Sequence, residues 1–283
     1  MTGGLSGPPS AGGADLDRER TNPLGAYLRA RREQVTPERA GLPVTGARRV
    51  PGLRREELAL LAGISADYYL RLERGRDRNP SIQVVDALAR ALQLDPDHLA
   101  HVRALASGTA GPPAPPRRDE VPDSARRLIR ALDHPAFIEN AFLDVLASNR
   151  AARELNPRLV PGRNQLRDLF LDAEEQALHP DWERAAACLT ASLRHTAGRD
   201  TDDPRYVRLT SELGRTSPSF RRLWARHDVR AQRGAAVRLT HPRAGTVTLH
   251  REQLGLNGAD RLTLVVYYPG AEPGGTGGGA DTR

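Results

Sequence analysis

The chain of 283 residues is predicted to fold as two domains, an all-α domain first and an α+β domain with an antiparallel sheet second. Three observations predict it. Apolar residues recur at helical spacing through 21–106, with helix-capping residues between the repeats. A proline-rich stretch, SGTAGPPAPPRRDE at 107–120, follows as a linker. Near the end, 236–240, 246–254 and 262–268 alternate or run apolar between turn residues, as the strands of a meander do.

The elements follow in order. Residues 1–20 are rich in Gly, Pro, Ser and charge and are expected to be disordered. A first helix opens at Pro23, where proline suits a first turn, and Leu24, Tyr27, Leu28 and Arg31 keep helical spacing. The segment 36–52 holds three prolines and three glycines and reads as a loop, lying against a partner or folding partly over the domain. Residues 81–94 form an amphipathic helix capped by Ser81, burying Val84, Val85, Leu88, Ala91 and Leu92. Asp95 and Pro96 open a fifth helix over 95–106. The second domain spans 121–269. Its helices are expected at 123–133, 151–155, 164–171, 181–197, 204–214 and 217–227, with a first strand inside 135–146. A glycine-rich tail, 270–283, is expected to be disordered.

The window 55–80, RREELALLAGISADYYLRLERGRDRNP, carries the most information. It reads as two short helices joined by a tight turn. Ala59 is small where a second helix must cross closely. Gly63 stands where a left-handed residue ends the first helix. Ile64 fills the gap between the helices, and Ser65 caps the next one. Tyr69 and Leu72 share the inward face of that second helix. Its outward face carries Ser65, Ala66, Asp67, Leu70, Arg71 and Arg74. This is the arrangement of a DNA-binding helix-turn-helix, whose second helix reads base edges in the major groove. Arg71 is the candidate for a bidentate contact to guanine. An amphipathic hairpin inside a core is the competing reading, and the turn chemistry argues against it.

Arg74, Arg76 and Arg78 follow, alternating with Glu73, Asp77 and Asn79. Arg48, Arg49, Arg54 and Arg55 form a second basic cluster before the motif. Either group could be a solvated charge run. Their position beside a recognition helix points instead to phosphate contact, which fixes register on the duplex. Asn79 belongs with this set. The formal charge of +7 suits an anionic partner. Every basic residue is Arg and none is Lys. GC-rich coding explains much of that, and it removes lysine-based covalent catalysis.

No constellation in the second half demands catalysis. HExxH, paired CxxC, a P-loop, a strand-borne GxGxxG and GxSxG are all absent from the sequence. A nucleophilic pair of Cys188 with His195 is the weak alternative, since both could face one side of a helix. His179, His227, His241 and His250 have no spacing that requires a metal. The expectation is therefore no enzyme, no cofactor and no metal. One cysteine leaves no internal disulfide. No apolar run reaches the roughly 20 residues of a membrane helix, and no signal peptide is evident. A cytoplasmic protein without membrane contact is expected. Phe220, Trp224 and His227 recur on one helical stripe, which is either core or the wall of an apolar cavity.

The helix-turn-helix resembles the xenobiotic-response-element type, a five-helix, repressor-like domain. LGAYLRARRE, RRVPGLRREELALLAGIS and DYYLRLERGRDRNPS resemble, more narrowly, the MmyB-like regulators common in actinobacteria. The resemblance continues in order through LFLD, HPDWERAAACL, GRDTDDPR and SPSFRRLWARHDVR, covering about 23–269. It implies transcription regulation through double-stranded DNA. It also implies a PAS-like sensor fold with a pocket for a long-chain fatty acid or similar apolar ligand. Phe142, Phe170 and Trp224 would line that pocket, and His227 or Arg230 would anchor a polar head. Ser148 departs from the family, which often has Trp there. A homodimer is expected, because two recognition helices reading half-sites about 34 Å apart multiply specificity. The alternative is that the second domain is a protein-interaction module without a small ligand.

Overall fold

The computed structural model describes residues 21–43, 48, 50–107, 119–198, 201–231, 234–256 and 262–270. The expected disordered ends and most of the linker lie outside these residues, as does Arg49.

Among the described residues, five helices make the first domain. They are α1 (Pro23–Gln34), α2 (Arg55–Ala62), α3 (Ala66–Glu73), α4 (Ile82–Ala91) and α5 (Pro96–Ala106). Asn22, Ser65, Ser81 and Asp95 each cap a helix by accepting a backbone N–H three residues on. Gly63 ends α2 at φ 67°, so the turn between α2 and α3 is left-handed as its sequence requires. The core gathers Leu24, Tyr27, Leu28, Leu58, Tyr69, Leu72, Val85 and Leu88, with Ile64 packed against it. Gly25 lets α1 press onto the end of α3, because a Cβ there would meet the Glu73 carbonyl oxygen at 2.5 Å.

The second domain is α+β. It contains α6 (Asp123–Ala131), β1 (Ala136–Glu139), β2 (Val145–Ser148), α7 (Arg150–Leu155), α8 (Gln165–Leu171), α9 (Ala173–Leu178), α10 (Trp182–Ala197), α11 (Pro204–Thr216), α12 (Pro218–Trp224), β3 (Ala235–His241), β4 (Gly245–Gly255) and β5 (Thr263–Pro269). The five strands form one antiparallel sheet in the order β2-β1-β5-β4-β3. The expected meander is β3-β4-β5. The segment expected to hold one strand holds a hairpin of two instead. Asn140 makes that hairpin, its side-chain oxygen accepting from the amides of Phe142 and Asp144 at 2.9 Å each. Helix α9 was not expected from the sequence, and Asp172 caps it.

Strand β1 is buried along its whole length. Ala136 and Ile138 pack toward α6 on one face. Phe137 packs on the other, with Val265, Tyr267 and Ala152 of α7. Helices α8, α10, α11 and α12 assemble a separate apolar core. Asp119, at the end of the linker, hydrogen-bonds Asn140 and pairs with Arg205, so the last part of the linker is fixed to the second domain.

Candidate functional site

Helix α3 buries Tyr69 and Leu72 completely and leaves its other face open. Ser65, Asp67 and Arg71 are exposed there, and Ala66 is half-buried. Arg71 pairs with Asp67 one turn back and lies over the Tyr68 ring, 5.4 Å from its centroid. This holds the guanidinium along the outer face, where a groove would run. Arg74 and Arg76 are exposed beyond the helix, as is Asn79. Arg78 donates to the Gly75 carbonyl at 3.0 Å, so it stiffens the loop.

The second basic cluster divides. Arg54 is exposed, and its backbone N–H donates to the Glu57 carboxylate, closing the start of α2. Arg48 clasps the same carboxylate with two bonds of 2.8 and 2.7 Å and is largely buried. The Arg48 guanidinium beside Glu57 holds that carboxyl below its ordinary value. Arg48 is therefore a strut between the long loop and α2. Arg55 keeps partial exposure but pairs with Glu73 at 2.6 Å. Glu73 also takes Arg32 at 2.8 Å and is itself buried. It is thus no part of a solvated loop, as the alternating charge had suggested. The carboxylate ties α1, α2 and α3 together behind the recognition face. Burial alone would raise its pKa, and the two arginines bring it below the ordinary value.

In the second domain the structure brings Phe142, Phe170 and Trp224 into one aromatic core with Tyr206, Phe220 and Trp182. Phe142 contacts Tyr206, Tyr206 contacts Trp224, and Trp224 stacks on Phe220 at 5.1 Å. Phe220 meets Phe170 edge-on at 5.4 Å, and Phe170 meets Trp182. Local structure fixes each end. The Phe142 carbonyl accepts from Asn164, and Trp182 donates to the Leu169 carbonyl.

Of the two expected polar anchors, His227 is buried and Arg230 is not. His227 packs its ring on Tyr27 of the first domain, at 6.3 Å. The Arg230 side chain is exposed. The guanidinium in the core is Arg194, only 3% exposed, lying over the Trp224 ring at 4.0 Å. It also donates to the Trp224 carbonyl at 3.1 Å. No sequence signal singled it out, because a polar residue on an amphipathic helix reads as solvated. Ser148 pairs with Phe137 across the β1–β2 ladder, so it lies on the sheet and away from the aromatic core.

A surface cleft of about 410 Å³ lies beside α8 and α9. Arg158 and Arg163 line it, but Asp168, Asp172 and Glu174 neutralise them in the same cleft. Its polar lining does not suit an apolar molecule. Among the described residues no cluster of His, Cys, Asp and Glu is placed to hold a metal ion. No helix there is long and apolar enough to cross a membrane.

The family described as MmyB-like transcription regulator ligand binding domain matches residues 121–275, more than half of the chain. The chain belongs to this family. A helix-turn-helix domain family matches residues 23–102, the five helices just described. The MmyB-like chain is therefore a DNA-binding transcription regulator with a C-terminal ligand-binding domain. Both families are regulatory rather than enzymatic. No match is found among curated proteins.

Proposed function

We propose that this MmyB-like regulator binds a specific DNA sequence through α3 and senses an apolar, fatty-acid-like molecule in the aromatic core of its second domain. The observation that carries the ligand reading is a buried guanidinium lying over the Trp224 ring of that core. Rings supply apolar contact to a chain, and Arg194 supplies positive charge for a carboxylate head. In this reading Arg194 takes the anchoring role expected of His227 or Arg230. Phe142, Phe170 and Trp224 keep their expected role as lining. The five-stranded sheet, with helices inserted between β2 and β3, supports a PAS-like sensor.

On the DNA side, Arg71 reads a base, with Ser65, Ala66 and Asp67 at the helix start. Arg74, Arg76, Arg78 and Asn79 lie along the backbone, with Arg54 and Arg55 beside α2. The protein acts in the cytoplasm as a homodimer on paired half-sites. Two measurements test this. Native mass spectrometry of the purified chain, before and after denaturation, should release a small apolar acid. Selection from a random duplex library should enrich one motif. A sensor that releases nothing and gains no stability from a panel of long-chain fatty acids sinks the ligand reading. Absence of any enriched motif sinks the DNA reading. The second reading, an interaction module without ligand, is favoured by the close packing of the rings, whose centroids lie 5.1–6.3 Å apart.

A further inference from the structure

Among the described residues, one short segment has an end in each domain. Trp224 closes α12 inside the aromatic core. The residues after it, 225–231, run directly onto the first domain. Gln34 of α1 donates to the Arg226 carbonyl at 2.6 Å. Asp228 takes Arg31 of α1 at 3.3 Å on one oxygen and Arg226 at 2.9 Å on the other. Val229 is buried as a member of the DNA-binding domain's own core. The Ala231 amide donates to Asp97 of α5 at 3.1 Å. On the sensor side, the Arg230 amide reaches the Ala191 carbonyl of α10, and Arg194 grips the Trp224 ring and carbonyl.

His227 adds an independent observation. Its backbone is left-handed, φ 51°, a conformation that is uncommon for a non-glycine residue. Its ring packs on Tyr27, which His98 and His101 of α5 also flank. The segment is short, buried at His227 and Val229, and bent at a positive-φ residue. It is tied to both domains at successive residues, so a displacement at one end is passed to the other.

We propose that residues 225–231 are the transmission element of this regulator. A ligand that displaces Trp224 moves them, and they carry α1 and α5, and so the seating of α3 on DNA. This rests on the sensor reading and specifies its route. Because coupling free energy is reciprocal, DNA binding must in turn be felt at Trp224.

That reciprocity gives a test that needs no ligand. Trp182 and Trp224 are the two tryptophans, so Trp182→Phe leaves Trp224 as the single indole reporter. The full chain with this change is titrated with a duplex enriched by the unmodified protein. Trp224 emission should change saturably, with the midpoint given by anisotropy of the labelled duplex. Hydrogen exchange of the 218–224 peptide gives a parallel readout without the substitution. In His227→Gly/Asp228→Ala the duplex should still bind while the Trp224 response falls roughly fivefold or more. If that variant does not fold, Arg31→Gln/Gln34→Ala cuts the same joint from the α1 side. An unchanged Trp224 signal at DNA saturation overturns the proposal, as does a full response in the cut variants. Failure to enrich any duplex would overturn the DNA-binding reading instead, so the two failures are distinct.

Discussion

In the proposed reading, base recognition turns on Arg71. Its neighbours on α3, Asp67 and Tyr68, hold it flat along the exposed face before DNA arrives. A guanidinium so placed loses less freedom on making a bidentate contact than a solvated one. Arg71→Ala should weaken binding to the enriched site by about 1–3 kcal/mol and relax specificity at one base pair, as competition against single-base variants would show. Equal loss on every sequence would reassign Arg71 to the phosphates. This face was legible from residue spacing, since Tyr69 and Leu72 had to point inward. The fate of Arg48 was not, because its partner Glu57 is fixed only when the long loop folds back on α2.

The helices of the DNA-binding domain depend on one buried carboxylate. Glu73 closes α3 and takes Arg32 from α1 and Arg55 from α2. Removing it leaves the Arg32 charge buried without its counter-charge, which is more damaging than losing an exposed pair. Glu73→Gln should lower the unfolding free energy of the domain by about 3–5 kcal/mol in denaturant titration, whereas Asp67→Asn, whose side chain is exposed, should shift it by about 0–1 kcal/mol. In sequence Glu73 reads as one charge in an alternating run. Its burial follows from Gly25, which brings α1 close enough to cover it. The meander and most helices of the second domain were readable from periodicity. Helix α9 and strand β2 were not, being too short for a period to emerge.

Across the whole molecule the interdomain joint makes stability depend on pH. Burial pushes His101 down to about 3, and the charges of Arg194, His98, His227 and His195 add to it. Burial and the Arg31 charge also lower His98, against Asp95, Asp228 and Asp97. A histidine with a depressed folded pKa takes up its proton more readily in the unfolded chain. Stability is therefore full above about pH 6.5 and falls as the pH drops below it. His101 alone should remove about 1.4 kcal/mol by about pH 5.5. Calorimetry of the full chain from neutral pH to this value should show the fall, and His101→Gln should flatten it. An unchanged slope in that variant would place the proton uptake elsewhere.

The sequence by itself determined the helix-turn-helix, the strand meander, the order of the two domains and the aromatic residues of the sensor. Each of these is set by local spacing and turn chemistry within a few residues. Only the tertiary structure decided which arginines remain outward, that Arg194 and not Arg230 enters the aromatic core, and that His227 faces the other domain. Those outcomes depend on partners that stand from 9 residues away, as Glu57 does from Arg48, to the other domain, and no local period encodes which surface will cover a charged side chain.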